Sequence, residues 1–409
     1  MSTGNTGQKP LLTIFFTTFI DLLGVGLIVP IITPLFLQAD GVLPPEYDYP
    51  TRTFLLGLLI ATFPLCQFFS GPFLGSLSDK YGRKPILFAS LFVTVAAYLC
   101  IALGINTHQL LLVYLGRGLT GAASGNLSVI YSSIADLSSK EDKIKNFGLI
   151  GMAFGLGFVI GPALGGILSN PEFGPYFTYS TPFVFSAILA AINLIQIRFN
   201  FPETNKSPNP DSVITLTTGF RNIHRAFTTP DLIRLFVIFM FFFLGFTVFT
   251  QFFQVYLIQK LAYDSTYIGY LFTGIGVLGA ITQGLIVRVL SKKVDSRTLI
   301  TFVLPILGVG YLITLLPEVR WQVFLTIPFI AIPQGLINPN FSSMVSNTAP
   351  PHLQGETLGM LQSVQSVAQI IALLLGGYMA GLFVSAPMWI AFGATMVAWL
   401  LFLFGYKRK

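Results

Sequence analysis

Runs of about 20 apolar residues recur from one end of this chain to the other, each long enough to cross roughly 30 Å of hydrocarbon as a helix. That repetition leaves few folds open. In lipid every backbone polar group must find its partner inside the protein, so only helices and closed barrels span. Composition agrees: of 409 residues, 53% are hydrophobic and 10% charged, and the mean hydropathy is +0.75. A soluble domain of this size needs more surface charge. The reading is an all-α membrane protein with twelve spans, near 11–37, 53–77, 85–104, 109–135, 146–169, 180–199, 232–260, 265–290, 298–316, 320–348, 357–383 and 386–406. Several exceed the minimum length and must tilt or protrude. Pro30, Pro34, Pro64, Pro162 and Pro333 lie within spans, where neighbouring helices can satisfy the freed backbone groups.

Orientation follows from Lys and Arg. With the N-terminus in the cytoplasm, 19 of the 23 basic residues fall on inner segments. Only Arg52, Lys260 and Arg320 fall outside, and Arg117 lies within a span. This is a positive-inside bias. It places both termini in the cytoplasm and explains the formal charge of +7 as topology facing anionic lipid, not a nucleic-acid footprint. The short polar N-terminus carries no cleavable signal pattern. Cys66 and Cys100 sit in apolar runs, and His108, His224 and His352 are scattered, so neither a disulfide framework nor a metal site is expected.

Residues 200–231 form the longest polar stretch and contain Pro202, Pro208 and Pro210. They read as a cytoplasmic linker between two six-helix bundles, residues 1–199 and 232–409. The halves echo each other weakly: Leu77 to Lys84 aligns with Leu290 to Arg297. Such a repeat suggests a duplicated transporter body with its site between the halves.

Charge inside the spans is scarce. Asp21 lies about ten residues into the first span, roughly 15 Å from the cytoplasmic side at 1.5 Å per residue. Arg117 enters from outside and lies roughly 18 Å from that same side. One acid and one base therefore share a depth, and such residues mark a pathway or a proton relay. A carboxylate keeps its charge beside a cation and gives it up when isolated in hydrocarbon, so the pair predicts proton loading and unloading between conformations. A static pair, or an acid bonded to backbone, is the plainer alternative.

Uncharged polar residues repeat at helical spacing in four spans. They are Ser124, Ser128 and Tyr131 below Gly121; Thr247, Thr250, Gln251 and Gln254; Gln334, Asn338 and Ser342; and Gln362, Gln365, Ser366 and Gln369. Each stripe predicts a cavity wall, or else interhelical hydrogen bonds made by the same residue types. The fifth span carries Gly161, Pro162, Gly165 and Gly166 in "GLGFVIGPALGG", which allows close helix approach and a bend. Packing, a pivot and a seal between halves all fit it.

With these pieces placed, the sequence resembles the major facilitator superfamily, and within it the drug:proton antiporter branch that includes the tetracycline-resistance exporters. The resemblance covers most of the chain and is strongest over the first six spans. It rests on "GSLSDKYGRKP", "DLLGVGLIVPIITPLF", "GRGLTGAASG", "GFVIGPALGG" and "FPET" in their order and spacing. It implies a cytoplasmic gate at Gly75, Asp79, Gly82 and Arg83, with Arg83 paired to Asp136 and Asp79 facing the start of the eleventh span. Each such contact is worth about 0.3–1 kcal/mol where exposed. It also implies a monomer in the inner membrane that needs no cofactor beyond a proton gradient, its partners being protons, membrane lipid and a small molecule.

This chain departs from those exporters in carrying no acid in 86–104 or 298–316, which argues against a metal chelate as substrate. Lys292 also stands where Asp79 has its second-half counterpart. The function expected is a secondary exporter of an amphipathic or lipophilic organic molecule, working by alternating access. Import, facilitated diffusion or export of another solute (a siderophore, sugar or lipid) keeps the same fold, as does a non-transporting receptor. No phosphate-binding loop or catalytic cluster suggests an enzyme.

Overall fold

Helices form wherever the apolar runs predict them. The computed structural model describes residues 8–38, 41–138, 143–205, 217–228, 232–290, 293–348 and 354–405. Among these residues the longer elements are α1 (Gln8–Leu37), α2 (Tyr49–Tyr81), α3 (Arg83–Asn106), α4 (Leu110–Ala123), α5 (Leu127–Leu137), α6 (Lys143–Leu168), α7 (Thr181–Asn200) and α8 (Thr218–Thr228). They continue with α9 (Ile233–Leu261), α10 (Ser265–Ile281), α11 (Val287–Leu290), α12 (Ser296–Ile313), α13 (Gln322–Thr326), α14 (Pro328–Thr348), α15 (Gln354–Leu382) and α16 (Ala386–Gly405). No strand occurs among the described residues.

All twelve expected spans are helical, and nine helices among the described residues are long and apolar enough to cross a membrane. The fourth span is split, a 3-10 turn at Ser124–Asn126 separating α4 from α5. The tenth divides before Pro328, which opens α14 where its missing N–H costs nothing. In the eighth, a π-turn at Thr282–Ile286 separates α10 from α11. The linker holds a helix that a purely polar reading omits. Ala226 of α8 is fully buried, so part of the linker packs like core.

The chain forms two compact units, Met1–Leu43 with Thr62–Thr218, and Pro44–Ala61 with Gly219–Lys409. One end of the first is held by Ile14, Leu87, Leu91, Ile130, Ile134, Ile197 and Phe201. The second has an aromatic core in which Phe239, Phe242, Phe341 and Phe402 meet edge-on or stacked. In this second unit a Cβ on Gly57 of α2 would lie 2.9 Å from the Gly377 Cα of α15, closer than any side chain tolerates. Outward faces carry exposed Phe92, Leu103, Leu111 and Phe302. Lipid tails are as apolar as these side chains, so helix association depends on packing, small residues and hydrogen bonds.

Candidate functional site

The helix that carries Asp21 is set in place by glycine. A Cβ at Gly161 of α6 would lie 2.7 Å from the Gly26 Cα of α1, and one at Gly157 would lie 2.9 Å from the Leu22 Cβ. Gly165 lies as close to Leu27. Spaced four apart, these three glycines form one row against α1. Pro162 and Gly166 are buried beside them. Of the three readings open for the fifth-span motif, its contacts within the first unit are those of packing. Gly155 has open space, so it lies off the seam.

Asp21 retains partial exposure on a helix that is otherwise mostly buried. Its Oδ2 accepts a hydrogen bond of 3.2 Å from Asn126 Nδ2. Asn126 is 3% exposed and closes the 3-10 turn that splits the fourth span. The turn is anchored on α2: Gly121 abuts Phe63, Gly125 abuts Ser70 and Gly71, and Ser128 Oγ donates to Gly71 O at 2.9 Å. Tyr98 of α3 brings its hydroxyl onto Gly24, three residues along α1 from Asp21.

The guanidinium of Arg117 lies 4.6 Å from the Phe63 ring centroid, and its buried Nε has no hydrogen-bond partner. Among the described residues both ion pairs belong to Arg83, so Asp21 and Arg117 form none in this conformation. The acid's partner is an amide, and that has a chemical consequence. An amide gives an N–H to a carboxylate and, turned over, a C=O to a carboxylic acid. It therefore serves Asp21 in either protonation state.

The charged loop between α2 and α3 is built around Arg83. Gly82 takes φ 100°, a left-handed conformation that admits the sharp junction between the two helices. Arg83 is 7% exposed, and its Nη1 donates to Ser78 Oγ at 2.7 Å and to Asp79 Oδ1. Its Nε donates to Asp136 Oδ2 at 3.1 Å, at the end of α5. Gly75 faces Ser128 across the α2–α5 contact.

Sequence reasoning missed Glu203. Its Oε1 accepts from Arg83 N at 2.8 Å and its Oε2 from Lys84 N at 3.1 Å, so it caps α3 from 120 residues away. Asn205 Nδ2 donates to the carbonyl of Asp79 at 3.0 Å, and Thr204 Oγ1 lies 3.4 Å from Asp136 Oδ2. The "FPET" pattern was the available signal. It marked a helix ending, and the hydrogen bonds make it a clasp on the loop.

The polar stripes divide by bonding. Ser124 Oγ donates to Gly121 O at 2.8 Å, and Ser128 is bonded to α2, so both hydroxyls are satisfied by backbone. Tyr131 is exposed. In the second unit Thr250 bonds back to Phe246 O at 3.0 Å, and Thr247 is buried. Gln251, Gln334, Gln365 and Gln369 are partly exposed, and Gln362 is exposed. Gln254 Oε1 and Asn338 Oδ1 are buried without a hydrogen-bond partner, a costly condition that a ligand donor or water relieves. No group of three metal-ligating side chains occurs among the described residues. Lys292, the second-half counterpart of Asp79, lies outside them.

The comparisons with known proteins agree with this architecture. The chain is 27% identical over 362 residues to the class B tetracycline resistance protein of Escherichia coli, covering 88% of this chain and 85% of that one. It is 25% identical over 412 residues to the quinolone resistance protein NorA of Staphylococcus aureus, covering 98% of each. Its fold is similar to that of the human organic anion transporter MFSD10, with TM-score 0.71 and 20% identity over 97% of this chain and 99% of that one. It is also similar to a peptide transporter POT solved with sulfate, with TM-score 0.77 and 15% identity over 97% and 94%. The family model described as Major Facilitator Superfamily matches residues 14–372, most of the chain, and so this multi-pass membrane transporter belongs to that superfamily.

Proposed function

We propose that the chain exports an amphipathic or lipophilic organic molecule in exchange for inward protons, alternating between inward-open and outward-open forms. The reading rests on one observation above the rest. A carboxylic acid inside a spanning helix keeps partial exposure and is hydrogen-bonded to an amide, with no cation locked onto it. An ion-paired acid holds its charge, whereas an amide-bonded one is free to exchange a proton. Relatives named for resistance to tetracycline and to quinolones support an efflux role.

The lack of acids in the third and ninth spans favours a substrate without a bound metal. Ligand contacts fall to the polar faces of α9, α14 and α15, where Gln254 and Asn338 carry unsatisfied acceptors. Asp79 and Arg83 bias the cytoplasmic gate. Arg117 tunes the proton site at a distance. The protein works as a monomer in the inner membrane, with both termini in the cytoplasm.

The test is export against a gradient in proteoliposomes with an imposed pH difference. Asp21→Asn abolishes uphill transport and leaves the folded protein intact; undiminished uphill export by that variant refutes the coupling.

A further inference from the structure

The linker helix α8 carries chemistry that the transport reading does not use. Its sequence, "TGFRNIHRAFT", holds two arginines, a histidine and two phenylalanines, and no acid. Ala226 is fully buried in the second unit's core, and Phe227 packs against that core. Leu232, at the entry to α9, belongs to the same core. Two residues further on, Arg234 donates to Gly405 O of α16 at 2.9 Å. The helix is therefore pinned beside the cytoplasmic ends of spanning helices. Around its axis, Phe220 and Phe227, seven apart, share one flank. Arg221 and Arg225, four apart, share another, about 130° around the helix. Phe220 is 56% exposed, and Arg221, His224 and Arg225 are exposed as well.

We infer that α8 is an interfacial helix whose arginine flank holds anionic phospholipid headgroups while Phe220 enters the boundary of the acyl chains. A basic amphipathic helix fixed at the water–hydrocarbon boundary meets lipid phosphates, and each arginine there adds to the attraction. Charge complementarity selects the occupant, since the helix offers no acid to repel an anionic surface.

The experiment places Phe220→Trp protein in nanodiscs containing phosphatidylcholine and a minority of phosphatidylglycerol, with dibromo acyl chains on one lipid at a time. The emission added over the unsubstituted protein is read. Brominated phosphatidylglycerol is expected to quench it roughly twofold more than phosphatidylcholine at equal mole fraction, a preference lost in Arg221→Gln/Arg225→Gln. Native mass spectrometry of protein retaining Phe220 should show fewer bound phosphatidylglycerols in the double arginine variant. Quenching by neither lipid, which means a helix facing the cytosol, overturns the inference. So does equal quenching by both lipids that ignores the arginine substitutions. Neither readout depends on transport.

Discussion

Asp21 depends on a side chain that no charge rule would select. Asn126 supplies its hydrogen bond, and a bond to an ionised group is worth about 1.5–3 kcal/mol. Asn126→Leu keeps the approximate size and removes the bond. Proton-driven export should fall about tenfold or more while detergent-solubilised protein still folds, as size-exclusion chromatography and vesicle assays would report. Unchanged export would show that the amide is dispensable. Glu203 acts on stability instead. Glu203→Ala strips the α3 cap, and because the residue is exposed the cost is about 0.5–1 kcal/mol, visible as a lower unfolding temperature.

Asp48, just before α2, gives a pH test. Hydrogen bonds from the Thr51 side chain and backbone hold its carboxyl below the usual aspartate range. The cap's contribution is therefore complete above the unfolded aspartate range near pH 4 and is lost as acid protonates the folded group. Asp48→Asn should flatten the acid limb of the thermal stability profile. A limb of unchanged slope would remove Asp48 as its cause.

At the scale of elements, the α1–α6 seam carries the argument. Gly161 meets backbone rather than a flexible side-chain tip, so a methyl group cannot be absorbed by rotation. Gly161→Ala should cost about 1–3 kcal/mol through overpacking and should displace Asp21 with its helix. Gly155→Ala, six residues away with open space around it, should be neutral or slightly stabilising in the same thermal assay. Equal losses at the two positions would mean the seam is not where the glycine row lies. The broken fourth span belongs to this scale too. An uninterrupted helix would present Asn126 at another angle, and the 3-10 turn aims it at α1.

At the scale of the whole molecule, coupling differs from transport. In the proposed exchange, a variant without the proton site keeps the two alternating forms and the ligand surface. Asp21→Asn is therefore expected to retain substrate counterflow between equal pH values while losing accumulation. Loss of both would make Asp21 part of the moving framework. What the sequence alone determined were properties carried by local runs and counts. Span positions follow from apolar length, and the family resemblance implied the Arg83–Asp136 pairing that the structure contains. Only the tertiary structure decided who meets whom at long range. Asn126 reaches Asp21 across 105 residues, Glu203 caps a helix 120 residues back, and α8 docks through Ala226 and Phe227. Amide and capping hydrogen bonds have no period and no compositional mark. They exist only once helix crossings, set by glycines against backbone, bring distant turns within hydrogen-bonding distance of each other.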